Sequence, residues 1–522
     1  MGNTERAPRT KKRRLRRLLH RGINRTTLTA LVVLVQFLWL FWLVVSLAQY
    51  AVWINFAFSA ISLALSLYII RRDENPAYKL SWLLVLCSLP LFGVLLYALL
   101  SNKRLSRRLR GRLESVEKQH PLPISEPPST VPPRLQATGR YLAERGGFPS
   151  YKNTDVDYFA QGEHWFSRLL EDLETAQHYI FMEYFIIAEG RMLDAVLDVL
   201  KRKASEGVDV RIIYDDIGCQ AAKPLSFVAE AQRQGIRCLA FNPMIPLISI
   251  VMNHRDHRKC TVIDGRVAYT GGINIADEYI NQKVRFGHWK DTGLRLCGDA
   301  VQSLVYMFLH LWNALCPTDE DFSGFVCPVT DRSELSDGRP AMVIPFSDSP
   351  LDDEHVGETV YLEILAQAQR YVYIFTPYLI IDNEMQTALC TAAKRGVDVR
   401  IVTPGIPDKK LAFRLTRSYY SVLMRAGVKI YEYTPGFLHA KSFVSDDRVG
   451  VVGTINLDFR SLYLHFECAT LFFGGDAVRA LRDDALSTMQ KSHLVEPRET
   501  KRSRDLIQRF IDALLRALSP LF

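Results

Sequence analysis

The 522-residue chain lacks any Cys-x-x-Cys pair; its nine cysteines are scattered, so neither a zinc site nor a disulfide framework is expected. Charge is missing altogether from Thr26 to Ile70, a length that accommodates two membrane helices of about 20 residues each. Acids are nearly absent from the first 112 positions, where Glu5, Asp73 and Glu74 stand against 19 lysines and arginines. That region carries a net +16, which leaves the rest of the chain at −7 within a whole of +9. An acidic body is poorly suited to gripping nucleic acid, whose binding draws on basic surface. No nucleic-acid partner is expected.

What is present begins with a basic tail over residues 1–27, centred on Lys11-Lys12-Arg13-Arg14 and Arg16-Arg17. Lying just before a long apolar run, it suits an anionic membrane surface. Two spans are predicted at about 28–48 and 51–70. A third apolar run, Leu80 to Leu100, contains Pro90 and Gly93, both tolerated in membrane helices. Residues 28–100 therefore read as a multi-pass region of two or three transmembrane helices, with Trp39, Trp42, Trp53 and Trp82 as interfacial anchors. Ser46-Leu47-Ala48 looks like a signal-peptidase site, but the apolar stretch is too long for an h-region and runs straight into a second span. A retained anchor is expected. The basic tail, Arg71, Arg72 and Lys79, and the cluster from Lys103 to Arg112 all favour the cytoplasmic side. Three full spans cannot satisfy all of them; a cytoplasmic catalytic body is the expectation.

Residues 101–150 form a basic, then proline-rich linker, with Pro121, Pro123, Pro127, Pro128, Pro132 and Pro133 in an extended spacer. Beyond it the chain repeats itself, over 151–335 and again over 336–495. Gly207-Val208-Asp209-Val210-Arg211-Ile212-Ile213 recurs as Gly396-Val397-Asp398-Val399-Arg400-Ile401-Val402. A helical pattern precedes each copy (Arg191 to Ser205; Asn383 to Lys394), and an apolar strand precedes each helix (Tyr179 to Ile187; Tyr371 to Ile381). Alternation of this kind predicts an α/β sandwich with a largely parallel or mixed sheet. One segment breaks the match: Gly235 to His257 is 22 residues, but Gly427 to His439 only 12. The extra apolar run, Pro243 to Met252, reads equally as a buried element or as a lip guiding acyl chains. Residues 496–522 predict a C-terminal amphipathic helix, with Leu506, Ile507, Phe510, Ile511, Leu514, Leu515 and Leu518 on one face. Docking of that helix onto the body is favoured over lying in the membrane interface.

Each repeat carries one chemical motif. His257-Arg258-Lys259 is followed by Asp264 and by Gly271-Gly272-Ile273-Asn274; His439-Ala440-Lys441 is followed by Asp446 and by Gly453-Thr454-Ile455-Asn456. On a strand, positions two apart share a face, so His257 points with Lys259 and His439 with Lys441. Asn274 and Asn456, after a glycine turn, could close the same pocket from a second strand. Packed face to face, two imidazoles, two ammonium groups and two amides suit a phosphate, with Lys259, Lys441, Asn274 and Asn456 donating to its oxygens. One histidine can attack phosphorus while the other protonates the leaving alcohol and later acts as base. The lysines supply charge that phosphoryl-transfer enzymes often take from Mg²⁺, so no metal and no cofactor are called for. Taken singly, either motif is as well explained by a solvated pair and a turn; duplicated in register, they point to a site.

These motifs resemble the HKD motifs of the phospholipase D superfamily. The likeness extends along the chain to the bacterial cardiolipin synthases, carried by Arg71 to Lys79, Thr270 to Asn281 and Asn456 to Glu467. It implies two pseudo-twofold-related phospholipase D-like halves behind a transmembrane region in a bacterial cell membrane. It further implies phosphatidylglycerol and other phospholipids as substrates, and phosphatidyl transfer through a phosphohistidine. By the resemblance His257 is the nucleophile and His439 the acid/base. A carboxylate about thirty residues after each histidine, Asp291 and Glu467 here, would hold its other ring nitrogen. Asp264 and Asp446, the third members of the catalytic motifs, are expected to be structural or supporting rather than reacting groups.

Overall fold

The computed structural model describes residues 25–46, 51–100, 104–220, 225–243, 254–318, 320–328, 335–352, 354–500 and 506–521. The basic tail before Arg25 and the apolar run after Pro243, equally a buried element or a lip by its sequence, lie outside the described residues. Two compact units are present: one holds most of the apolar N-terminal region, the other holds Glu74–Ser81 and everything from the linker onward apart from the run after Pro243.

Along the apolar N-terminal region, α1 (Arg25–Ser46) is followed by α2 (Ala51–Arg71), and α3 (Pro76–Ser88), whose first turns belong to the larger unit, by α4 (Pro90–Leu100). Among the described residues one stretch, Val52–Arg71, is both long and apolar enough to cross a membrane; Leu31–Trp42 and Pro90–Leu99 are shorter apolar stretches. The multi-pass expectation is therefore not supported: one candidate span is found among the described residues. The third run fails because Pro90, having no N–H to donate and a ring that clashes with the preceding turn, divides it. At that break a side chain on Gly93 would come within 2.9 Å of the Leu86 backbone, and the Ser62 hydroxyl donates to the Leu86 carbonyl at 2.8 Å.

The larger unit contains the duplication. The first half supplies β1 (Thr154–Phe159), β2 (Tyr179–Tyr184), β3 (Asp209–Asp215), β4 (Arg237–Phe241), β5 (Arg255–Asp256), β6 (Lys259–Ile263), β7 (Val267–Gly271), β8 (His288–Lys290) and β9 (Gly293–Gly298). Its main sheet runs β1-β9-β7-β6-β2-β3-β4. The second half supplies β10 (Met342–Asp348), β11 (Tyr371–Phe375), β12 (Leu379–Ile380), β13 (Asp398–Pro404), β14 (Lys429–Tyr433) and β15 (Gly436–Leu438). It continues with β16 (Ser442–Ser445), β17 (Val449–Gly453), β18 (Leu457–Asp458), β19 (His465–Phe473) and β20 (Ser492–Leu494). Its sheet runs β10-β19-β17-β16-β11-β13-β14-β20. Replacing each strand of the first order by its counterpart gives the second, which adds β20 at its edge. The sheets are mixed: β2-β3-β4 and β11-β13-β14 pair in parallel, the remaining main-sheet neighbours antiparallel.

Local sequence explains these elements. β2, Tyr-Ile-Phe-Met-Glu-Tyr, is buried at all six positions, as expected of a strand covered on both faces. The helix Arg191–Ser205, α5, buries Met192, Leu193, Val196, Leu197 and Leu200, the stripe a period of 3.6 produces. One hydrophobic cluster contains residues of both halves, among them Phe181, Val262, Leu296 and Phe308 with Phe375, Val444, Phe466 and Phe472. Two further clusters are centred one in each half, on the opposite side of its sheet. Apolar burial therefore holds the sheets together, and the histidine segments meet at that junction.

Asp264 and Asp446 occupy equivalent hairpin turns with φ of 50° and 57°, a region aspartate tolerates better than most residues. Asp264 accepts from the backbone N–H groups of Gln177, His178 and Tyr179 at 2.7–2.8 Å. Asp446 accepts from those of Gln369, Arg370 and Tyr371 at 2.8–2.9 Å. Each closes the loop leading into β2 or β11, at the end of its strand away from the motif lysine, about 16 Å along an extended chain. Neither is a reacting group.

Candidate active site

Each motif histidine follows a short strand borrowed by the opposite half. β5 pairs in parallel with β19, and the His257 N–H donates to the Phe466 carbonyl at 2.9 Å. β15 pairs in parallel with β8, and the His439 N–H donates to the Lys290 carbonyl at 2.7 Å. The carboxylates are exchanged in the same way. His257 Nδ1 lies 2.8 Å from Glu467 Oε2, and His439 Nδ1 lies 2.6 Å from Asp291 Oδ2. The expectation that each histidine is served by the carboxylate following it in its own repeat is corrected: the pairs cross the pseudo-twofold. With Nδ1 held, the reactive nitrogen of each ring is Nε2.

Gly272 and Thr454 are equivalent positions, and both lie against these carboxylates. A side chain on Gly272 would come within 2.1 Å of Asp291 Oδ1. Thr454 instead donates its hydroxyl to Glu467 Oε2. The glycine thus makes room for a carboxylate that the threonine binds.

Lys259 and Lys441 are almost fully buried. Lys259 Nζ donates to the carbonyl of His257; Lys441 Nζ donates to that of His439 and lies 2.9 Å from its Nδ1. Burial, the largest influence, pushes Lys259 down to about 8 and Lys441 to about 7. Burial, followed by Lys441, lowers His439 to about 4. Burial also pulls His257 well below an ordinary imidazole, helped by Lys259, Lys441 and His439. Burial alone would raise Asp291, but His439 and Lys441 outweigh it and hold it low. Burial thus costs both lysines part of their hold on a proton, and a bound phosphodiester anion would favour their charged forms.

Asn274 accepts from the Ile186 N–H at 2.9 Å and donates to the Tyr279 hydroxyl at 2.7 Å. The Tyr279 ring stands edge-on to His439, with centroids 5.4 Å apart. Asn456 donates to the Ser461 hydroxyl at 2.9 Å. Both amides thus spend one N–H on internal order, with a second on the same nitrogen. Buried ion pairs brace the His257 segment: Arg258 Nε lies 2.7 Å from Glu183 Oε1, and Arg255 Nη1 lies 3.3 Å from Asp215 Oδ1.

Reading the sequence by its repeats misses His465. Its ring centroid lies 5.5 Å from that of His257, and its Nδ1 lies 3.7 Å from Glu467 Oε1. The His-x-Glu spacing on β19 is the signal, because it puts His465 on the same strand face as Glu467. His257, His465 and Glu467 bring three ligand atoms within 4.8 Å and are the group able to hold a cation among the described residues. Trp289, 5.4 Å from His439, and Phe185, 5.0 Å from His257, complete the aromatic walls.

A family profile described as "Cardiolipin synthase, PLD-like domain" matches residues 169–285 and 361–487, one match in each half. A second, described as "Phospholipase_D-nuclease N-terminal", matches residues 60–102. An uncharacterized protein of Streptococcus mutans is 42% identical over 461 residues, 87% of this chain and 99% of the relative. A cardiolipin synthase of Geobacillus sp. is 33% identical over 464 residues, 86% of this chain and 90% of the relative. Among solved structures, the phosphatidylserine synthase of Haemophilus influenzae superposes with a TM-score of 0.53 at 16% identity. That alignment covers 73% of this chain and all of the neighbour, a likeness of fold.

Proposed function

Because this chain belongs to the phospholipase D-like cardiolipin synthase family and is a phospholipid phosphatidyltransferase of the membrane, we propose that it joins two phosphatidylglycerol molecules into cardiolipin and releases glycerol. The observation that carries this reading is the crossed geometry: two imidazoles held at Nδ1 by Glu467 and Asp291, with Lys259 and Lys441 beside them. His257 Nε2 attacks phosphorus as the bond to the departing glycerol breaks; His439, which takes up a solvent proton at Nε2 when the bound phosphodiester anion and Asp291 favour its imidazolium form, delivers that proton to the leaving oxygen. The terminal hydroxyl of a second phosphatidylglycerol then gives its proton to His439 and attacks phosphorus as the P–N bond breaks. Lys259 and Lys441, with the remaining N–H groups of Asn274 and Asn456, carry the charge on the phosphoryl oxygens. Burial excludes water, which favours an alcohol as acceptor. A cytoplasmic position of the body accords with the basic cluster from Lys103 to Arg112.

Purified protein supplied with labelled phosphatidylglycerol in bilayers should yield cardiolipin and free glycerol in equal amounts. Phosphatidic acid as the main product would make the protein a hydrolase instead.

The pH dependence follows from the same site. Lys441, lowered to about 7, loses its charge in the free enzyme as pH rises through that value, so kcat/KM should fall on the alkaline side near pH 7. The anionic substrate favours the ammonium form, so the alkaline limb of kcat should lie higher. His257 stays neutral well below pH 6.5, which places its acid limb below that of an ordinary imidazole. A kcat/KM flat from pH 6 to 9 would contradict the role given to Lys441.

A further inference from the structure

The C-terminal helix, α10 (Leu506–Leu518), docks on the body with its polar side. It packs against the helix Lys410–Arg425, here α8, whose Arg414 Nε lies 2.6 Å from the buried Asp512. The Arg516 guanidinium sits 4.2 Å over the Tyr419 ring, and the Ser81 hydroxyl donates to the Ala517 carbonyl at 2.5 Å. Outward face Ile507, Phe510, Ile511 and Leu514, exposed by 65, 70, 37 and 40%. Their i, i+3, i+4, i+7 spacing makes one continuous apolar stripe. A helix that merely capped the body would turn this stripe inward.

A second set of exposed apolar and basic side chains lies at the N-terminal end of α8 and on the loop beside it. Arg414 lies one turn along α8 from Lys410 and Leu411, and Leu411 is 53% exposed. Lys409 is close enough to lower His257 electrostatically. Ile406, 41% exposed, faces Gly287, where an added side chain would meet its Cδ1 at 3.2 Å. Gly287 ends a loop bearing exposed Lys283, Val284 and Arg285. Apolar tips (Val284, Ile406, Leu411) thus alternate with Lys283, Lys409 and Lys410 on a body otherwise net acidic. The nearby acids Glu278 and Asp408 are engaged by Arg285 and Tyr378.

We propose that the outer face of α10 and this basic rim form one surface that lies in the headgroup layer of an anionic bilayer and presents the cleft to lipid. Apolar side chains would enter the acyl boundary while the lysines meet phosphate. Segment Glu74–Ser81, which meets α10 through Ser81, follows the apolar span directly in the chain. The proposal rests on the lipid-transferase reading for its purpose, and its test is separable from it.

The full chain, reconstituted in phosphatidylglycerol vesicles, would carry Phe510→benzoylphenylalanine and be illuminated. An adduct with phospholipid is expected; an adduct with a second copy of the chain, or none, would overturn the proposal whether or not cardiolipin is made. In parallel, Phe510→Asp should lower transfer in vesicles about tenfold while leaving transfer from a soluble short-chain phosphatidylglycerol unchanged. Equal activity of variant and parent in vesicles would refute the surface. A parent protein inactive on both substrates but crosslinked to lipid would instead refute the assigned reaction.

Discussion

His257→Ala is expected to abolish cardiolipin formation, a loss on the order of 10⁴-fold or more, because no neighbouring group replaces a nucleophile that forms the covalent intermediate. His439→Ala should lose a similar amount overall, but in a different step. Without the acid, departure of glycerol slows; with a substrate bearing a good leaving group, that step recovers and the phosphorylated enzyme should accumulate, since no base activates the second alcohol. Peptide mapping after mixing with such a substrate should place the label on His257 in His439→Ala and find none in His257→Ala. Label on His439 in the second variant would reverse the two roles. Both substitutions remove a ring from a largely buried site, so retention of the thermal transition by each variant separates chemistry from folding.

The second large effect concerns the carboxylates. Glu467→Gln should depress transfer by about 10²- to 10⁴-fold, the range seen when the acid partner of a catalytic imidazole is replaced by its amide. It should act on formation of the phosphohistidine, because Glu467 holds His257. Asp291→Asn should act on the steps that need His439. Residues that act as one unit are not additive. Combining Glu467→Gln with His257→Ala should therefore add almost nothing, whereas combining it with Asp291→Asn should add substantially. The opposite pattern, with Glu467 silent in a His439 variant, would mean that each carboxylate serves its own repeat.

That crossing marks where sequence reading ended. The repeat Gly207–Ile213 against Gly396–Val402, with the helices Arg191–Ser205 and Asn383–Lys394, was legible because local periodicity and local burial agree. Asp264 and Asp446 were legible as supporting residues through the family likeness, although their three backbone partners each lie more than 70 residues away. Which carboxylate meets which histidine was not legible, since it depends on β5 crossing to β19 and β8 to β15, pairings between segments over 140 residues apart. His465 escaped because its counterpart in the first repeat, Trp289, is no titratable group. The third apolar run reads as a span because composition alone does not register how one proline divides a helix.

The exchange of strands and carboxylates between the halves has an evolutionary reading. A single half cut from this chain would fold around an imidazole that has lost its orienting acid, and would become a catalyst only by associating with another copy. The ancestor before duplication is therefore best pictured as an obligate homodimer, and fusing its two genes secured a one-to-one meeting of partners. Once joined, either copy was at liberty to diverge: Gly272 against Thr454 records that freedom at the very centre of the site.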